Sequence, residues 1–135
     1  MAMTDTTRVN SVLGAMLGIN AFPTFTTAAH VRLGSTAPAS TTNMSELPGG
    51  SGYVTGGSAA TFSMAASGKA QGPSSPLSWT NTGATWSIVG IEIWDAAATP
   101  LRWFWGTWTG QPISVANGNT FSVATNAITL DSTQW

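Results

Sequence analysis

Hydrophobic positions near the start of the chain recur with a helical period. Five apolar residues follow an i, i+3, i+4, i+7, i+8 spacing: Val9, Val12, Leu13, Met16 and Leu17. This spacing places them along one face of a helix. Thr4 or Asp5 can cap the start of that helix, and Gly18 can end it. The pattern predicts an amphipathic helix over residues 5–17 that docks on a sheet or on a neighbouring subunit.

Beyond this helix the hydrophobic period changes to two. In residues 28–34, Val31 and Leu33 alternate with polar side chains, as they do in a half-buried strand. Residues 86–95 are apolar on both faces, which is typical of a central strand. Similar short segments, separated by turn residues, continue almost to the end of the chain.

About eight short strands follow the single helix in this pattern. Strands and turns that alternate with few helices are typical of antiparallel sheets. We therefore predict a mainly β fold, an antiparallel β-sandwich or barrel with one N-terminal α-helix. The predicted organisation is a single domain over residues 1–135, with the β-sandwich over residues 28–131.

Charge is scarce along the whole chain. Charged residues make up 7% of the sequence, and the net charge is −1, whereas charged residues are roughly 25% of an average soluble domain. A free monomer normally keeps its net charge away from zero, so this composition favours a subunit of an assembly. The four basic residues are scattered, which argues against binding to nucleic acid. The apolar runs fall well short of the about 20 residues that span a membrane.

The residues that could support catalysis or metal binding are few. The chain has one histidine and no cysteine, whereas a zinc site needs three or four ligands. Glu92 and Asp95 lie three residues apart on a predicted strand, so their side chains point to opposite faces. They cannot form the facing carboxylate pair of a glycosidase. We expect a protein that is not an enzyme and that carries no metal or cofactor.

Glu92 has a structural interpretation instead. It lies among apolar residues of the predicted central strand, so we expect it to be partly buried. A buried carboxylate needs a partner, and Arg102 on the returning strand is the natural candidate. The sequence predicts a structural ion pair between these two residues.

Seven tryptophans remain to be explained, three of them in the segment LRWFWGTW at residues 101–108. Alternation places Trp103 and Trp105 on one face of this strand and Arg102 on the other. A bulge at Gly106 would leave the facing of Trp108 undetermined. Such rings can fill a core, stack on sugars or bind another subunit. The predicted interface residues of the whole chain are Val9, Val12, Leu13, Met16, Trp103, Trp105, Trp108 and Trp135.

Several short motifs, in this order, cover nearly the whole chain. They are VRLGSTAP at 31–38, GGSGY at 49–53, a W-x-x-V…W-D segment at 86–95, an L-x-x-x-W-G segment at 101–106 and a V-x-x-G-N…F…I-x-L segment at 115–130. The set resembles a family of small tailed-bacteriophage virion proteins, variously described as tail fibre, minor tail or head decoration proteins. The extra aromatic residues at 101–108 and Trp135 depart from that family's pattern. The resemblance brings no catalytic residues.

The resemblance implies a non-enzymatic structural protein of a phage virion. We expect a capsid decoration subunit at the capsid surface, which binds the major capsid protein lattice and forms a homo-oligomer, with a trimer as the favoured form. The alternative is a tail fibre or tail-tip module that contacts tail proteins and binds a carbohydrate receptor. The two hypotheses differ in whether the exposed aromatic rings contact protein or sugar.

Overall fold

A computed structural model describes residues 2–3, 6–19, 21, 28–65, 69–96 and 98–131. The described chain is mainly β, with one helix and several antiparallel sheets in a sandwich-like arrangement, which confirms the predicted fold class. No helix among these residues is long and apolar enough to cross a membrane. The elements are α1 (Thr6–Met16), β1 (Ala2–Met3), β2 (Ala29–Gly34), β3 (Ser58–Ala60), β4 (Ser63–Met64), β5 (Lys69–Gly72), β6 (Leu77–Thr80), β7 (Trp86–Ile88), β8 (Gly90–Trp94), β9 (Arg102–Thr107), β10 (Ile113–Val115), β11 (Thr120–Val123) and β12 (Ile128–Asp131).

The helix α1 ends at the glycine that the sequence predicts as its stop. Gly18 has a φ of 72°, a conformation that glycine adopts without steric cost. The amide of Ile19 donates to the carbonyl of Gly14 at 2.8 Å, and the amide of Gly18 donates to the carbonyl of Ala15 at 3.1 Å. These two bonds form a Schellman motif, which satisfies carbonyl groups of the last turn. The predicted first residue of the helix, Asp5, lies outside the described residues.

Five strands form the main sheet in the order β1-β9-β8-β2-β3, and all neighbouring pairs are antiparallel. Val31 lies opposite Ile93, and Arg32 lies opposite Glu92. Because directly opposed residues share a face of the sheet, the first pair points into the core and the second pair points to the outer face. The main sheet therefore carries an apolar inner face and a charged outer face.

The segment predicted as one central strand is divided between two sheets. Strand β7 pairs with β10, whereas β8 pairs with β2 and β9. Val89 joins them, and its amide donates to the carbonyl of Gly34 while its carbonyl accepts from the amide of Trp108. The chain thus passes from one sheet to another at Val89. Divisions of this kind give twelve strands in the described ranges where the pattern predicts about eight.

The core lies between the inner face of the main sheet and the smaller sheets. Aromatic rings fill much of it. Trp79 stacks on Phe121 with 6.2 Å between ring centroids, and Trp108 meets the same phenylalanine edge-on at 5.3 Å. Tyr53 packs edge-on against Trp86 at 6.5 Å. These contacts assign part of the tryptophan content to the core.

A β-bulge at Trp103 sets the direction of the aromatic side chains on β9. In the ladder with β8, Arg102 and Phe104 each have a directly opposed residue, whereas Trp103 has none. The extra residue brings Arg102 and Trp105 onto the same face. The predicted alternation, with these two residues on opposite faces, is therefore wrong. Gly106, where the sequence predicts the bulge, keeps a regular partner on β8.

Candidate functional site

The helix α1 and the turn after it expose a group of apolar side chains. We call these four residues the helix patch: Leu13, Met16, Leu17 and Ile19, which are 53%, 67%, 69% and 72% exposed. Two of them, Leu13 and Met16, are predicted interface residues. Val12, another predicted interface residue, is half-buried. The side chain of Val9, also predicted at the interface, is not among those described. Exposed apolar groups of this kind mark interaction surfaces.

The segment of the chain that contains the helix patch carries no Lys, Arg, Asp or Glu. This segment lies between Arg8 and Arg32 in the sequence. A partner that covers this region therefore has no ionic group of these residue types to desolvate, and desolvation of charge is the main cost of burying polar surface. The helix patch is suited to an apolar partner.

Glu92 and Arg102, which the sequence predicts as an ion pair, form one on the outer face of the main sheet. The Nη1 atom of Arg102 donates to Oε1 of Glu92 at 2.9 Å, and each side chain is 2% exposed. The arrangement is the pairing that the sequence predicts. A buried pair of this kind is stabilised by further hydrogen bonds to its donors and acceptors, and of the pair's own polar atoms only Nε of Arg102 has no partner among the described residues.

The remaining bonds of this pair hold a long loop against the sheet. We call residues 35–57 the covering loop. Arg102 donates to the carbonyl oxygens of Ala39, Ser40 and Thr42 at 2.8–3.0 Å. Glu92 accepts from the amide of Met44 and from the indole N–H of Trp94, each at 2.9 Å. The ion pair is therefore an anchor for the backbone of the covering loop.

A second carboxylate anchors the far end of the covering loop. Oε1 of Glu46 accepts from the hydroxyl of Tyr53 and from the amide of Gly56, both at 2.7 Å. Its Oε2 lies 3.6 Å from Nη1 of Arg32, whose guanidinium group lies 4.2 Å from the ring centroid of Trp94. Burial raises the pKa of Tyr53, and Glu46 raises it further. The tyrosine therefore remains a neutral hydrogen-bond donor well into the alkaline range.

The aromatic strand β9 is more buried than the sequence predicts. Trp103 is 6% exposed, and its indole N–H donates to Oδ2 of Asp95 at 3.2 Å. Trp103, a predicted interface residue, is thus buried within the single chain at the bulge of β9. Trp105 and Trp108 are half-buried, and Trp135 lies outside the described residues.

Asp95 acts as a turn residue. Its Oδ1 accepts from the amide of Leu101 at 2.9 Å, and its own amide donates to the carbonyl of Leu101 at 3.0 Å. These bonds close the turn between β8 and β9. The carboxylates of Glu46, Glu92 and Asp95 all have structural partners.

A groove of about 430 Å³ opens between the main sheet and the β12-β5-β4 sheet. We call it the apolar groove. None of the described residues that line it is charged. Residues from both sheets contribute to its lining, among them Ala29, Ile93, Phe104, Ala70 and Leu130.

A second groove of about 370 Å³ lies beside the end of β9. We call it the threonine groove, because its lining includes the hydroxyl residues Thr107, Thr109 and Thr129 together with Trp108. The indole Nε1 of Trp108 is buried and has no hydrogen-bond partner in the described chain. An aromatic ring among hydroxyl groups is a surface that can hold a sugar by stacking and hydrogen bonding.

Metal-ligating side chains are scattered in the described ranges. No group of three or more His, Cys, Asp or Glu side chains there is placed to hold a metal ion. His30 has its Nδ1 atom 3.2 Å from the carbonyl of Gly56. This histidine thus contacts the end of the covering loop, as does Glu46.

One buried polar residue, Asn81, is not singled out by the sequence pattern. It is fully buried, and its Nδ2 donates to the carbonyls of Ala84 and Val115 at 2.8 and 2.7 Å. Its Oδ1 accepts from the amide of Gly83 at 2.8 Å. The Asn-x-Gly spacing at 81–83 is the sequence feature that could indicate this role, because it is typical of an Asx turn.

Comparison with known proteins adds no family assignment. No protein-family model matches this sequence, and no curated protein matches it either. The resemblance to phage virion proteins stays a prediction.

Proposed function

We propose that this chain is a non-enzymatic structural protein of a tailed-phage virion, which decorates the capsid by binding the lattice of the major capsid protein. The observation that carries the proposal is the helix patch. Four large apolar side chains are more than half exposed on a chain with a net charge of −1. A surface of this type is suited to permanent contact with protein.

Burial of the helix patch would supply enough free energy to stabilise a capsid shell. Complete burial of one large aliphatic side chain stabilises a contact by about 1.5–3 kcal/mol. The four side chains of the helix patch together therefore contribute several kcal/mol per bound copy. Because a protein that binds only the assembled shell stabilises that shell by mass action, many such copies would raise its resistance to heat.

The covering loop supports the same proposal. Its backbone is anchored by the ion pair of Glu92 and Arg102 at one end and by Glu46 at the other. Ser35, Thr36 and many neighbouring small polar residues of the loop are exposed. The loop thus presents a small-residue surface in a fixed position, which suits repeated contact with a regular lattice.

Quantitative mass spectrometry of purified virions tests this proposal. We expect the chain to be present in a fixed stoichiometric ratio to the major capsid protein. We also expect particles that lack it to lose their DNA at a lower temperature. Absence from purified virions would overturn the proposal, and a few copies per particle would favour a tail component.

The second candidate function is a tail fibre or tail-tip module that binds a carbohydrate receptor. The threonine groove favours it, because Trp108 and three threonines contribute to its lining. Tryptophan fluorescence during titration with host-surface glycans tests this function. A saturable change that Trp108→Phe weakens would support it, and no change with any glycan would argue against it.

A further inference from the structure

We propose that Asn117 is a site of spontaneous deamidation, and that the backbone of Asn81 protects it for as long as the fold stays closed there. The reaction needs water and no enzyme. It replaces a neutral amide by a carboxylate in a chain whose net charge is −1. The residue after Asn117 and the hydrogen bonds of the turn between β10 and β11 carry this inference.

Asn117 is followed by Gly118, and this is the only Asn-Gly pair in the sequence. Deamidation begins when the backbone nitrogen of the following residue attacks the side-chain amide carbon, Cγ. Glycine has no side chain to hinder this attack. The N–Cγ bond forms while the Cγ–Nδ2 bond breaks, and the amide leaves as ammonia with the proton of the attacking nitrogen.

Water completes the reaction by opening the five-membered ring at either of its two carbonyl groups. One product is aspartate. The other is isoaspartate, in which the main chain runs through the former side chain and gains one methylene group. Both products carry a new carboxylate, so each molecule becomes more negative by one charge. Because charged residues are only 7% of the chain, this change is large for the protein.

The turn exposes the reacting residues to water. Asn117 and Gly118 are both exposed, and the amide of Asn119 donates to the carbonyl of Ala116 at 3.0 Å. Gly118 has a φ of 83°, whereas Asn117 has a negative φ. This combination is that of a type II turn. Access of water therefore does not limit the reaction at this site.

The closed turn nevertheless keeps the two reacting atoms apart. In a type II turn the first central residue has a ψ of about +120°, which rotates the nitrogen of Gly118 away from the side chain of Asn117. The amide of Gly118 also donates to the carbonyl of Asn81 at 2.7 Å. This bond must break, and the main chain must rotate, before the nitrogen can attack.

Asn81 holds the turn at further points. Its own amide donates to the carbonyl of Asn119 at 2.9 Å, and its fully buried side chain donates to the carbonyl of Val115 at 2.7 Å. Opening of the turn therefore strains several hydrogen bonds together, so the reactive conformation has a small population. The longer main chain of isoaspartate changes the spacing of these bonds, so a modified turn should not close in the same way.

Peptide mapping by mass spectrometry, after incubation in mildly alkaline buffer, tests the site. In guanidinium chloride we expect Asn117 to deamidate well before Asn43, which is exposed in the folded chain but is followed by the larger Met44. In the folded chain we expect the rate at Asn117 to be more than about tenfold lower than in the denaturant. Asn117→Gln is the matched control, because its ring would need six members and the early product should disappear.

Two results would overturn the inference at this stage. The absence of any preference for Asn117 in the unfolded chain would refute the site. Equal rates in the folded and unfolded chain would refute the protection.

A pair of variants tests the role of Asn81. Asn81→Ala removes the side chain that holds this segment, and Asp95→Ala removes hydrogen bonds at the turn between β8 and β9. Under conditions where circular dichroism shows both variants to be folded, Asn81→Ala should accelerate deamidation of Asn117 more than Asp95→Ala does. Equal acceleration would assign the effect to global unfolding and contradict a local role of Asn81.

Hydrogen exchange of the Gly118 amide in the wild-type chain needs no substitution. Its protection measures how rarely the bond to the carbonyl of Asn81 opens. Because attack on Asn117 requires the same opening, folding should slow deamidation by at least the factor by which it slows exchange. A Gly118 amide that exchanges as fast as in an unfolded chain would overturn the inference.

Discussion

Arg102 and Glu92 are joined at 2.9 Å in a position where each side chain is 2% exposed. The guanidinium group also binds three carbonyl groups of the covering loop. One buried pair therefore connects two adjacent strands of the main sheet and a loop that lies about sixty residues earlier in the chain. This pair therefore holds the covering loop on the outer face of the sheet.

Replacement of Arg102 by methionine should strongly destabilise the fold. The change leaves the carboxylate of Glu92 buried without its cation, and loss of one partner of a buried pair costs about 3–5 kcal/mol. Urea denaturation followed by fluorescence measures the effect. The double variant Arg102→Met with Glu92→Gln should recover part of the loss, because no charge then remains buried. A double variant no more stable than Arg102→Met would contradict this explanation.

Replacement of Asn81 by alanine should also destabilise the fold. The variant leaves the carbonyl groups of Ala84 and Val115 and the amide of Gly83 without their side-chain partner. A buried polar group without a partner costs about 1–3 kcal/mol. The exposed residue Asn43 provides the control, since Asn43→Ala should change the free energy of unfolding little. Equal effects of the two substitutions would refute the assigned role.

Trp103 and Met16 should behave in opposite ways. Trp103→Ala removes a buried ring, so it should lower the free energy of unfolding by about 3–5 kcal/mol. Met16→Ala removes an exposed side chain, so it should leave that energy nearly unchanged, and under the proposed function it should weaken binding to capsid particles. Thermal denaturation and particle co-sedimentation measure the two effects. A stable Trp103→Ala protein would show that the ring is not needed for folding.

The stability of the protein should fall in alkaline solution because of Tyr53. Its pKa in the folded state is raised by burial and by Glu46, whereas its pKa in the unfolded chain is about 10. Above about pH 10 the unfolded state therefore releases this proton while the folded state retains it, and stability decreases as the pH rises. Denaturation measured on both sides of pH 10 tests this. Tyr53→Phe should show a smaller decrease, and an unchanged decrease would assign the effect to another group.

The sequence predicts the features that depend on local patterns. The apolar period locates α1, and Gly18 ends it as expected. The ion pair of Glu92 and Arg102 follows from the rule that a buried charge needs a partner. These features depend only on residues close in sequence or on the adjacent strand, so the local pattern is enough to predict them.

The features that the pattern misses depend on exceptions to a regular strand. The bulge at Trp103 shifts the facing of a six-residue strand, and strict alternation cannot anticipate an extra residue. The passage between sheets at Val89 lies within a segment whose pattern predicts a single strand, so periodicity gives no sign of it. The exposure of Leu13 and Met16 depends on how α1 lies against the body, which its own period does not determine.

The way in which Arg102 binds the covering loop has an evolutionary consequence. Its guanidinium group contacts the backbone oxygens of Ala39, Ser40 and Thr42, and backbone oxygens are common to every residue type. Mutation can therefore exchange exposed side chains of this segment while the anchor holds the main chain in place. The segment is a natural position for sequence divergence between related proteins, and for the display of foreign peptides.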